Sequence, residues 1–115
     1  MLRYGQRRDY FLQAVEILNS TTSFQNIQLE GRVMQNAKKS SYWSTVVCHG
    51  YARIGVAESL VGEAAIYMNL RDIDSEDKIL AAIDHEANHI MPMKEGYYAA
   101  IIKKRLGQST KRRTL

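Results

Sequence analysis

The 115-residue sequence predicts a single α+β domain: an N-terminal helix, a small mixed or antiparallel sheet of three to four strands, and two helices that complete the chain. Three observations predict it. Apolar residues recur at helical spacing near both ends of the chain, whereas β-branched and aromatic residues gather in between. A mass of 13.2 kDa with 45% hydrophobic and 24% charged residues suits one core and leaves little room for a second unit. The domain is expected over residues 1–108, followed by a basic tail at 109–115.

Each element follows from local pattern. Over 6–19, Tyr10, Phe11, Ala14, Val15, Ile17 and Leu18 fall at helical spacing, and the polar cluster at 19–23 stops the helix. Segments 27–34, 42–54 and 63–70 read as strands, with breaks at 36–41 and 55–62. They make three strands, or four if the long middle segment bends at Gly50. A helix start follows at 72–75, with Asp74 or Ser75 as the cap and Glu76 and Asp77 in the first turn. Its buried stripe is Ile79, Ile83, Ala87 and Ile90, spanning about 80° of the helix wheel at 100° per residue. Pro92 forces the chain to turn, and Tyr98, Ala99, Ile101, Ile102 and Leu106 predict a last helix over 95–106 that Gly107 ends.

Composition narrows the function classes. No window approaches the roughly 20 apolar residues of a membrane span, and Asp9, Gln13 and Glu16 interrupt the amino-terminal run that a secretion signal would need. A single cysteine, Cys48, excludes an internal disulfide framework and fits a reducing, cytoplasmic setting, with a secreted effector or toxin domain as the alternative. The net charge of +4 comes largely from Lys103, Lys104, Arg105, Lys111, Arg112 and Arg113, a frayed tail or a nucleic-acid contact without aromatic residues interleaved. Cys48, Trp43 and Tyr42 are expected to fill the core, and His49 to be hydrogen-bonded and half-buried.

The chemistry sits in His85-Glu86-Ala87-Asn88-His89, an HExxH pattern near the end of the second helix. Imidazoles four residues apart stack on one helix face, where both reach one metal ion. His85 and His89 fall at about 240° and 280° from Ile79, off the buried stripe and toward a cleft. Zinc is the expected ion. Water bound to it would approach a pKa of ~7, with Glu86 as the general base. A catalytic zinc needs a third protein ligand. Glu95 is the only acidic side chain beyond His89, so it and the terminal carboxylate of Leu115 are the downstream candidates, and Glu95 is the expected one. Tyr97, Tyr98 and His49 are candidate donors to a tetrahedral intermediate, with at most one of the adjacent tyrosines reaching the cleft. Segment 63–70, if it lies at the sheet edge, would pair with an extended peptide.

This order of elements, with the HExxH helix following a strand, resembles the zincin group of metallopeptidases, mainly over residues 63–95. The resemblance implies a zinc-dependent hydrolase of peptide bonds in a protein or peptide substrate, with the last strand walling the cleft. Very short members, the minigluzincins, are of similar size and take a glutamate on a following helix as third ligand. Glu95 stands six residues after His89, the metzincin interval, but Pro92 replaces a glycine and Glu95 a His or Asp, and the longer spacer of glutamate zincins is missing. Both branches therefore stay open. The competing expectations are a metal-dependent hydrolase of nucleic acid that uses the basic tail, and a non-enzymatic interaction module with an incidental His pair and a solvated Glu86.

Overall fold

The computed structural model of the chain describes the backbone of residues 2–35, 40–54 and 57–114 and, within it, the side chains outside 52–59 and 108–114. The fold is α+β. Helix α1 (Tyr4–Asn19) leads through a 3-10 turn (Thr22–Phe24) to strands β1 (Ile27–Met34), β2 (Tyr42–Ile54) and β3 (Ala57–Asn69), then to helices α2 (Glu76–Ile90) and α3 (Tyr97–Thr114). The three strands form a mixed sheet in the order β1-β3-β2, with β1 parallel and β2 antiparallel to β3.

Alternation sorts the strands into two faces. Ile27, Leu29, Ala64, Ile66 and Met68 point at the helices and are buried, whereas Glu30, Arg32, Glu63 and Tyr67 point away. Helix α1 lies over β1, close enough that a Cβ at Gly31 would stand 3.1 Å from both Phe11 and Val15. Phe11, Ala14, Val15 and Leu18 form its buried stripe. Arg7 ties α1 to the end of β3 by donating to the Leu70 carbonyl at 2.7 Å. Ser75 caps α2 by accepting from the Lys78 N–H, and Ile79, Ile83, Ala87 and Ile90 are all buried, as their spacing predicts.

Several expectations need correction. Segment 63–70 is not at the edge: β3 is the central strand, and β2 is the edge strand beside α2. The breaks expected around 36–41 and at Gly55 fall partly outside the described residues, but β3 begins at Ala57 and runs through Gly62. Glycine there serves close approach rather than a turn, because an added Cβ would run into the Val47 carbonyl. Strand β2 stays whole. It absorbs one extra residue between Cys48 and Gly50, where Gly50 takes a φ of 152°.

Cys48 is exposed. The helices cover only the Tyr42 end of β2, so Val46, on the same face, is 43% exposed too. Trp43 lies on the open face, stacked on Tyr67 with centroids 5.0 Å apart and planes 9° from parallel. Helix α3 passes Gly107 and continues to Thr114. One interior glycine costs only about 1 kcal/mol, and the Gln, Lys and Arg residues that follow favour helix. The terminal carboxylate of Leu115 and the side chains of Lys111, Arg112 and Arg113 lie outside the described residues. No described helix is long and apolar enough to cross a membrane.

Gly62→Ala should lower stability by about 2–3 kcal/mol, since strand backbone cannot retreat as a side-chain tip can. Urea denaturation checks it: the midpoint falls with the slope unchanged, whereas an unaltered midpoint would mean that the two strands separate easily there.

Candidate metal centre and cleft

Helix α2 presents three faces, each with its own polar residues. His85 and His89 are exposed, with their Nε2 atoms 3.1 Å apart and their rings nearly perpendicular. Two nitrogens on one tetrahedral zinc stand about 3.3 Å apart, close to this spacing, which the hydrogen bond between the two rings gives here. One ligand atom each from His85, Glu86 and His89 lies within 4.8 Å of the others, and this group could hold a metal ion.

Glu86 is not solvated. It is only 7% exposed, turned toward the sheet, where Ser44 Oγ donates to its Oε1 at 2.8 Å. Its Oε2 stands 3.8 Å from His85 Nε2. The helix wheel carried this signal: at 100° per residue Glu86 falls at about 340° from Ile79, against the buried stripe rather than beside the histidines. A buried carboxylate gains from every partner that faces it, and the His pair is where a cation would sit.

The third polar face belongs to two residues that the motif does not mention. Asp84 is buried, and its carboxylate accepts from the backbone N–H of Gly96 at 2.8 Å, Tyr98 at 2.8 Å and Ala99 at 3.0 Å. Asp84 thus caps α3 from another helix, with a charge suited to the positive end of the helix dipole. Asn88 completes the clamp, accepting from the Met93 N–H at 2.8 Å and donating to the Asp84 carbonyl at 3.0 Å. Sequence spacing gave no hint of this, because the partners stand 12 to 15 residues away.

The other expected site residues separate. Glu95 is exposed and lines a cleft of about 740 Å³ together with His85, Tyr42 and Lys103, but it lies outside the group of converging ligand atoms. Tyr98 is fully buried, packed against Phe24 and Tyr97, with its hydroxyl donating to the Met91 carbonyl at 2.6 Å. Burial raises its pKa. That hydroxyl is committed to the turn after α2, so Tyr98 is a structural residue. Tyr97 is half-buried beside it. His49 is exposed rather than half-buried and bonds Glu63 across the hairpin at 2.9 Å, on the open face. Tyr42, half-buried, meets His85 edge-on at 6.0 Å.

The phase of the β2 edge follows from one bond. Asn69 N–H donates to the Ser41 carbonyl, and in an antiparallel pair the bonded residues alternate. Carried along the register, Trp43, Thr45 and Val47 bond inward to β3, while Tyr42, Ser44 and Val46 point their N–H and C=O groups outward. The Ser40 hydroxyl already donates to the Tyr42 C=O at 2.6 Å and accepts from its N–H at 3.3 Å, which leaves Ser44 and Val46 to the free edge. The outward-bonding residues include the two, Tyr42 and Ser44, whose side chains reach His85 and Glu86. Comparison with protein-family models, with curated proteins and with solved structures gives no match.

Asp84→Ala should destabilise the fold by about 3 kcal/mol, because it strips the shared acceptor from three N–H groups at the start of α3. Thermal and urea unfolding measure it, and a loss below about 1 kcal/mol would show that water replaces the carboxylate.

Proposed function

We propose that the chain is a zinc-dependent peptidase that hydrolyses an extended peptide lying along the free edge of β2. The observation that carries the proposal is the buried Glu86 carboxylate, anchored by Ser44 on one oxygen and open on the other toward the paired imidazoles, directly beneath that edge. His85 and His89 would hold the ion. Zinc there would supply an acidified water and a Lewis acid for the carbonyl.

The chain's own residues do the rest. Glu86 takes the proton of the attacking water and later passes one to the departing amine. Ser44 leaves Oε2 as the free oxygen for that transfer and keeps the carboxylate from swinging away. Ser44 and Val46 supply the backbone groups that would align the substrate strand, while the Ser40 hydroxyl closes off those of Tyr42. Glu95, the one acid after His89 and on the cleft wall with His85, is the acid we assign to complete the ligand set; its carboxylate would have to swing toward the His pair, whereas Asp84 is fully engaged at α3.

Protein purified without a histidine tag should carry about one zinc per chain, and a His85→Ala, His89→Ala double variant none, as read by metal analysis. Glu86→Gln should keep the metal but lose turnover of a degenerate peptide mixture by roughly 10²-fold or more. A fully active Glu86→Gln enzyme would remove the general base. Glu95→Ala should weaken zinc affinity by roughly 10-fold or more, since even outer partners of a metal ligand contribute that much; unchanged affinity would strike Glu95 from the ligand set.

A further inference from the structure

The open face of the sheet carries a ladder. Arg32 on β1, Tyr67 on β3 and Trp43 on β2 are register partners across the three strands. The Arg32 guanidinium lies 5.6 Å from the Tyr67 ring centroid, and the Trp43 indole stacks on that ring. The ladder stops at Trp43 because the sheet stops there. Its one described aromatic neighbour is Tyr67, on the side toward β3, which leaves the other face of the indole toward the free edge.

We propose that this outer face of Trp43 is a specificity subsite for an aromatic side chain of the peptide strand added to β2. The placement of that strand rests on the peptidase reading above; the choice of side chain rests on the ladder. Since Trp43 bonds inward to β3, it forms a non-hydrogen-bonded pair with a strand on its other side, the pairing in which Cα atoms approach to about 4.5 Å and side chains are closest. The residue opposite Trp43 therefore extends the stack by one ring. Its neighbours in the peptide face the other way, toward Tyr42 and Ser44 and the His85, Glu86, His89 group, so the recognised residue flanks the bond to be cleaved.

Charge favours an aromatic ring over a guanidinium. The two described carboxylates on this face are already engaged, Glu30 by Arg32 at 3.1 Å and Glu63 by His49 at 2.9 Å, and the chain carries a net charge of +4. An arriving cation would gain the indole face alone. A flat apolar ring gains the stack and covers the part of the half-buried indole that remains open.

Trp43 is the only tryptophan in the sequence, so its fluorescence reports on the subsite directly. The probes are hexapeptide pools, degenerate except at one central position fixed as Phe, Tyr, Arg or Ala, titrated into zinc-loaded Glu86→Gln protein. The Phe and Tyr pools should change the emission saturably, at least about 5-fold more tightly than the Ala or Arg pools. Equal responses to Ala, a preference for Arg, or no response from any pool would overturn the subsite. Digestion of the same pools by the unmodified enzyme separates the two ideas. Aromatic enrichment beside the cleaved bond, lost in Trp43→Ala and kept in Trp43→Phe, supports both. Cleavage with the same enrichment in Trp43→Ala overturns the subsite alone. Fluorescence binding without any cleavage overturns the peptidase and leaves the aromatic subsite standing.

Discussion

One carboxylate organises the half of the molecule that carries the candidate metal centre. Asp84 gathers three backbone N–H groups from the start of α3, which would otherwise be left without partners as the chain reverses after Met91. That capture fixes where α3 begins and sets Tyr98 in the core with its hydroxyl on the Met91 carbonyl. It also holds Glu95 on the wall of the cleft. Proline at 92 makes the turn obligatory, but it is Asp84, helped by Asn88, that gives the turn one geometry. A neutral acceptor could not serve three donors as well, because charge-assisted bonds are about twice as strong as neutral ones.

The same two turns of α2 therefore satisfy three neighbours at once. Asp84 and Asn88 look toward α3, Glu86 toward β2, and the two histidines toward solvent. An arrangement that merely exposed a polar helix face would not bury two acids on opposite flanks of it, each with its own partner. The residues that pin this stretch of α2 belong to β2 and to the turn and start of α3, so the group that could hold a metal ion sits on a helix held from two sides.

What the sequence disclosed followed the reach of each interaction. The stripe of α2, its Ser75 cap and the exposure of His85 and His89 depend on neighbours within a turn or two, and periodicity revealed them. The burial of Glu86 was equally visible on the helix wheel, but the motif drew attention to its chemistry rather than its angle. Strand order was another matter. That β3 lies between β1 and β2 is decided by which hydrophobic faces the helices can cover, and no run of residues in β3 records it. The misplacement of Trp43 and Cys48 has the same origin: alternation says that neighbours on a strand point opposite ways, but not which side is covered nor how far along the strand the cover extends. The role of Asp84 depends on chain brought back from 12 or more residues away, beyond any local pattern.

The strand order also implies a sequence of events in folding. Strands β2 and β3 are separated by two residues in sequence and pair along most of their length, so bringing them together costs little loop-closure entropy. Strand β1 has no such shortcut, because its parallel partner is β3 and all of β2 intervenes. On loop-closure grounds the β2 and β3 ribbon would form first and serve as the template for β1 and α1. Loosening β1 would chiefly hasten unfolding, whereas loosening the β2 and β3 ribbon would slow the forward reaction itself.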